Sequence, residues 1–295
     1  MKKNQRMIQV IAHIIMIVIS VLCLFPLLLM LMGSFTDEAV LKINGYTLFP
    51  EKFSLAAYRY ILTSAATVFR AYGVSILVTA IGTTLNLCMT VMFAYTLSRP
   101  NLPGRNAMAF FLFFTMLFNG GLVSSYITWT EIFHVRDTLI GLIVPNLLLG
   151  SFYVIMMRTY FMSSIPEEII EAARIDGASE FQILGSIVLP LSKPIVASVG
   201  LMVGLAYWND WTNGLYFLLR RTDLYSIQNL LNKMLSNADY LASQSNALSN
   251  MAAGSVPSVG IRMAIAVIAL VPVMVIYPFI QKYLVSGIVI GGVKG

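Results

Sequence analysis

Apolar residues in this chain fall into long runs separated by short polar stretches, and no run alternates with a period of two. Crossing a hydrocarbon core of about 30 Å takes roughly 20 apolar residues in a helix. Six runs meet that length, at about 10–32, 72–97, 107–128, 138–160, 195–219 and 262–282. The third is interrupted by Asn119-Gly120-Gly121, which marks either a helix end or a hinge within the span. The pattern predicts an all-α integral membrane protein with six transmembrane helices in one domain (10–282), a short N-terminal segment (1–9) and a C-terminal tail (283–295). Two longer polar stretches, 33–71 and 220–261, lie on the side opposite the termini. Neither is large enough for a separate enzyme domain, and no internal repeat is present.

The polar stretch between the fourth and fifth runs has the most local order. Ser164-Ile165-Pro166-Glu167 reads as a capping box, with proline suited to the first turn and Glu167 and Glu168 suited to the positive end of the helix dipole. Ile169, Ala172, Ala173 and Asp176 then recur at helical spacing and predict a face of small residues. Gly177 ends this helix, because glycine enters the left-handed region at least cost. Ser179-Glu180-Phe181-Gln182 is a second capping box. Phe181, Leu184, Ile187 and Val188 predict its apolar stripe, with Pro190 ending it and Pro194 starting the next span. The 164–190 loop is therefore expected to be a helix–turn–helix, either resting in the membrane interface or offered to a partner.

Composition supports the membrane reading. Of 295 residues, 58% are hydrophobic and 11% charged, against about a quarter charged in a soluble domain. The net charge of +6 comes from residues scattered over loops and helix ends rather than from a basic stripe, so nucleic acid is not an expected partner. Lys2, Lys3 and Arg6 precede a run about twice the length of a signal peptide core, and no small-residue cleavage site follows. An uncleaved first span is predicted, with both termini cytoplasmic. The resulting topology places ten basic residues inside and nine outside, and the short Arg99–Arg105 turn is its clearest cytoplasmic marker. Cys23 and Cys88 read as packing residues, and no His, Cys or carboxylate grouping has metal-ligand or catalytic spacing.

Glu171-Ala172-Ala173, followed by Asp176-Gly177-Ala178 and Ile187-x-Leu189-Pro190, resembles the EAA motif of ATP-binding-cassette importer permeases. Trp208-Asn209-Asp210-Trp211 is similar to the W-N-x-W/F/Y element of the carbohydrate-uptake permeases. The terminal Gly291-Gly292-Val293-Lys294-Gly295 is similar to the tail of the MalG-like subunit in that group. The resemblance runs from the first span to the last residue, with its closest flavour among permeases for oligosaccharides and polysaccharide fragments.

This resemblance implies a location in the bacterial inner membrane and three partners: a second, MalF-like permease subunit, a cytoplasmic ATPase dimer and an external sugar-binding protein. ATP and magnesium would be bound by the ATPase, since this chain has no P-loop and no expected cofactor. Residues Glu167, Glu171, Ala172, Ala173, Asp176, Gly177, Ile187, Leu189 and Pro190 would form the ATPase-coupling element, and the tail from Gly291 would reach the ATPase interface. Tyr207, Trp208, Asn209, Asp210, Trp211 and Asn213 are candidates for the sugar path, since aromatic faces and amide side chains suit sugar binding. The same residues equally suit hydrogen bonding between helices. A secondary transporter would call for more intramembrane charge than the lone Asp210. A purely structural subunit would leave the ordered loop without a role.

Overall fold

The computed structural model describes residues 2–63, 65–247 and 258–292. In chain order the helices are α1 (Lys2–Ser34), α2 (Glu38–Asn44), α3 (Ala56–Leu62), α4 (Ala65–Ser98), α5 (Arg105–Leu117), α6 (Gly121–Ile127), α7 (Ile140–Ile143) and α8 (Ser151–Ser164). They continue as α9 (Glu167–Ile175), α10 (Glu180–Ile183), α11 (Leu189–Leu191), α12 (Lys193–Asn209), α13 (Thr212–Phe217), α14 (Ile227–Ala247) and α15 (Ser258–Gly292). Among the described residues the only β pairing is an isolated bridge between Thr36 and Phe53. All six apolar runs carry helix. The first, second and last lie in continuous helices, whereas the other three are broken.

One compact unit comprises the described residues of 1–68 and 231–274. Its α1 exposes apolar side chains on all sides, as a helix solvated by lipid does. The Ser34 hydroxyl lies 2.8 Å from the Tyr58 hydroxyl, and Phe35 stacks on Tyr58. The Glu38 carboxylate accepts the backbone N–H groups of Val259 and Gly260 at 3.1 and 2.9 Å. A side chain distant in sequence thus satisfies two of the four orphan donors at the start of α15.

The second unit contains the described residues of 69–230 and 275–292. Its α4 is inside-out: Ser75, Val78, Gly82, Asn86, Thr90 and Ala94 form the buried face, while the larger apolar Ile76, Ile81, Leu85, Met92 and Phe93 are exposed. Cys88, and Cys23 in the other unit, are also exposed, so neither is the packing residue that its apolar surroundings predict.

The predicted span at 138–160 is not one helix. Pro145 has no N–H to donate, Asn146 takes a positive φ of 63°, and the chain unwinds between α7 and α8. Non-helical backbone at membrane depth must find its partners within the protein. Here it does: Tyr207 donates to the Ile143 carbonyl at 2.8 Å, Asn213 to Pro145 at 2.9 Å and Leu142 at 3.5 Å, and Asn86 to Leu147 at 2.7 Å. Three polar side chains from α4, α12 and α13 thus hold the broken segment.

The other two breaks have equally local causes. The third run turns by 113° at Asn119-Gly120, where the Asn119 side chain accepts the Gly121 N–H at 2.9 Å and Gly121 has φ +84°. This makes it a sharp corner between two short helices. The fifth run stops at Asn209 because Asp210 turns extended and caps α13 through the N–H groups of Thr212 and Asn213. On the loop before α7, Asp137 accepts the backbone N–H groups of Leu219, Arg220 and Arg221 at 2.9, 2.8 and 3.0 Å. Those bonds, the one from Arg221 foremost, hold its carboxyl below the ordinary value.

Candidate functional site

The 164–190 loop folds as an arm of two short helices. The chain is extended at Ile165 and Pro166, as the residue before a proline prefers. This moves the start of α9 to Pro166, so the capping box predicted at Ser164 does not form. Glu167 turns to Arg99 instead. At the other end, Gly177 has φ +82°. The N–H groups of Gly177 and Ala178 bond the carbonyls of Arg174 and Ala173, both at 3.0 Å, which is a Schellman motif. The second capping box is present, with Ser179 and Gln182 bonded reciprocally.

Pro190 does not end the second helix. The backbone widens into a π turn over Leu184–Val188, with the Leu189 N–H bonding the Leu184 carbonyl five residues back, and continues as α11 to Leu191. A wide turn tolerates a ring that an α-helix excludes. The arm and α12 then meet at 86°.

Ile170 and Ile183, one from each short helix, are fully buried in the same apolar cluster as Val154, Met157 and Phe161 of α8. Burying each isoleucine contributes roughly 1.5–3 kcal/mol. Ala173, Ile187 and Leu189 are half-buried against that cluster, so three of the predicted motif residues hold the arm in place. Glu171, Ala172, Asp176, Gly177 and Pro190 face outward. Ile175 is 86% exposed and Phe181 75%, so Phe181 belongs to the presented surface and not to the inward stripe predicted for it. Ile183 takes that inward place, because the helix starts with Ser179 as its cap.

A polar brace ties the arm to the end of α4. Arg99, with its side chain only 10% exposed, bonds Glu167 at 3.2 Å and lies over the Tyr95 ring at 4.8 Å. Its Nε and Nη2 both donate to the Ser98 hydroxyl. The Tyr95 hydroxyl donates to Glu180, whose other oxygen accepts from Arg174 Nε at 2.7 Å. Arg174, and then Tyr95, hold the Glu180 carboxyl below its ordinary value. Both helices of the arm are therefore bonded to the last turn of α4, around a cavity of about 450 Å³ lined by Tyr95, Arg99, Leu102, Arg174, Glu180 and Phe181. In the sequence, Arg99 stands out as a topology marker and Glu180 as the residue after a cap. Their partners across the brace, Glu167 for Arg99 and Tyr95 for Glu180, lie 68 and 85 positions away and leave no local signal.

The residues expected along a sugar path divide into two groups. Tyr207, Trp208 and Asn213 are buried, and two of them satisfy the carbonyls of the unwound segment. Asn209 and Trp211 are exposed and Asp210 is half-buried. The Asn209 side chain accepts from Gln228 at 3.5 Å, and the Trp211 carbonyl accepts from Asn229 at 2.6 Å. Gly291 and Gly292 close α15; Val293, Lys294 and Gly295 lie outside the described residues.

Residues 74–290 match the family described as binding-protein-dependent transport system inner membrane component. The chain is 34% identical over 277 residues to Protein LplC of Bacillus subtilis (strain 168), covering 94% of this chain and 91% of that one. It is 32% identical over 293 residues to the polygalacturonan/rhamnogalacturonan transport system permease protein YtcP of the same organism, covering 99% and 100%. Among solved structures it is similar to a chain of a bacterial ABC transporter involved in the import of the acidic polysaccharide alginate. That match has a TM-score of 0.79 and 27% identity, over 95% of this chain and 97% of the other.

Proposed function

The chain belongs to the family of binding-protein-dependent transport system inner membrane components, and from that premise we propose that it is a permease subunit of an ATP-driven importer for oligosaccharides or polysaccharide fragments. An external binding protein delivers the sugar, a second permease subunit of the MalF-like kind completes the pore, and a separate cytoplasmic ATPase dimer binds ATP and magnesium and performs the hydrolysis. Both termini and the 164–190 arm lie on the cytoplasmic side. The tail from Gly291 reaches the ATPase interface.

The observation that carries this reading is the arm's division into a fastened side and an offered side. Ile170, Ile183, Arg99–Glu167 and Tyr95–Glu180 fasten it to α8 and α4. Glu171, Ala172, Ile175 and Phe181 are offered outward. Among the described residues Glu171 has no ion-pair partner, so its carboxylate is available to a cation in the ATPase cleft. An ATPase subunit that grips the offered side and moves on nucleotide binding carries α4 and α8 with it, as a rigid body. The small side chain of Ala172 and the sharp turn at Gly177 let the partner's surface approach the backbone closely. Trp211 and Asn209 remain the exposed polar and aromatic groups through which this subunit would touch sugar.

The test is purification of the tagged chain from its native membrane, together with uptake by Glu171→Lys and Gly177→Asp variants. The expected result is that an ATPase and a second permease copurify with the wild-type chain. Both variants should remain in the membrane and lose sugar uptake at least tenfold. Purification without an ATPase, or full uptake in both variants, would overturn the reading.

A further inference from the structure

Two arginines of the second unit share one end of a helix pair. Arg105 opens α5, and Arg158 lies on α8, which packs against α5. Arg105 Nη2 donates to the Met162 sulfur at 3.4 Å, one turn beyond Arg158, so both arginines occupy the same end of the α5–α8 pair. Among the described residues neither has a carboxylate within salt-bridge distance, in contrast to Arg99, Arg136, Arg174 and Arg221, which all do. Arg158 spends its Nε on the Leu97 carbonyl at 3.0 Å, and the buried Arg105 Nε has no partner. The start of α5 adds to the positive field, since its cap, Gly104, supplies no side-chain acceptor.

An apolar groove of about 500 Å³ lies between α4 and α5, close to this pair but not lined by it. Leu97, whose carbonyl holds Arg158, lines it with Met92 and Phe93 from α4 and Met108, Phe111 and Leu112 from α5. Met108 and Leu112 lie three and seven positions after Arg105, on the same face of the helix. A cationic end beside an apolar channel, at the predicted boundary of the spans starting at 107 and ending at 160, suits one kind of ligand: an anion with a hydrocarbon tail.

We propose that Arg105 and Arg158 bind the phosphate of an anionic phospholipid, with one of its acyl chains in the groove between α4 and α5. The lipid completes the charge balance at the foot of the α5–α8 pair. Its leaflet is the cytoplasmic one if the orientation proposed above holds, although binding itself does not depend on that orientation.

The protein complex reconstituted in nanodiscs of phosphatidylcholine containing a minor fraction of phosphatidylglycerol, then released for native mass spectrometry, tests this. The wild-type complex is expected to retain phosphatidylglycerol over phosphatidylcholine by roughly ten- to thirtyfold, the scale of two cations near the membrane surface. The Arg105→Gln/Arg158→Gln variant should lose the preference, and Leu112→Trp, which fills the groove, should lower total retained lipid. If the double variant does not assemble, the wild-type preference and the Leu112→Trp result carry the test alone. Equal retention of both lipids, equal displacement by inorganic phosphate, or a Leu112→Cys variant that crosslinks to the second permease would each overturn the proposal. The readout scores lipid on this chain whether or not an ATPase accompanies it, so its failure is distinct from failure of the transport reading.

Discussion

Tyr207 fills the space that a β-carbon on Gly82 would need: built onto that glycine, the carbon would lie 2.4 Å from Cζ of the ring. The ring cannot retreat freely, because it is buried and its hydroxyl is fixed on the Ile143 carbonyl. Gly82→Ala is therefore expected to lower the melting temperature of the purified complex more than Tyr207→Phe does. The latter leaves one buried carbonyl unpaired, at a cost of about 1–3 kcal/mol. Melting followed by size-exclusion chromatography orders the two, and the reverse order would contradict the packing described.

Asn213 and Trp211 should separate stability from sugar handling. Asn213→Ala removes the donor to Pro145 and Leu142 inside the membrane domain and is expected to reduce the amount of folded complex. Trp211→Ala removes a side chain that is 43% exposed and should leave melting unchanged while raising the sugar concentration needed for half-maximal uptake. Uptake assays normalised to membrane content distinguish these outcomes.

The Arg99–Glu167 pair lies between the exposed and buried cases, with side chains 10% and 35% accessible. Its loss should destabilise the arm by on the order of 1–2 kcal/mol. Arg99→Lys keeps the charge but not the fork that reaches Ser98 and Glu167 together, so it should behave more like Arg99→Gln than like wild type. ATP hydrolysis should persist in both variants while sugar uptake per ATP falls. A double-mutant cycle with Glu167→Gln measures the coupling.

Glu180 and Asp137 both have carboxyl groups held below their ordinary values, Glu180 by Arg174 and Tyr95 and Asp137 by backbone N–H groups. For such groups the stabilisation is fully present above the unfolded pKa, roughly 4 for carboxylates. It is lost as pH falls through the lower, folded value. Acid unfolding of the complex should therefore become less steep in Glu180→Gln and in Asp137→Asn, while near pH 7, where both wild-type carboxylates are fully ionised, each variant should be less stable than wild type by an amount that does not change with pH.

Most helix locations were legible because apolar length and period report burial in lipid directly. The turn at Gly177 and the cap at Ser179 were legible because both are local, set by residues within four positions. The breaks were not. Averaged hydropathy passes over Pro145-Asn146 and Asp210, since flanking leucines and isoleucines outweigh them, and the groups that make a break tolerable come from Asn86, Tyr207 and Asn213, far along the chain. The same distance hid the brace. The failed prediction at Ser164 has a narrower cause: the spacing of a capping box was present, but the proline within it forced the preceding residue extended and released Glu167 to Arg99.

The wide turn at Leu184–Val188 holds one more residue than an α-helical turn would place there. The widening absorbs that residue, so deleting one, such as Gly185, would restore ordinary helical bonding with Glu180 still facing Tyr95, but it would set Pro190 in a narrow turn whose preceding carbonyl its ring clashes with. The turn thus keeps the arm in register with α4 while making room for a proline, and narrowing it would strain the arm without touching any residue that meets a partner.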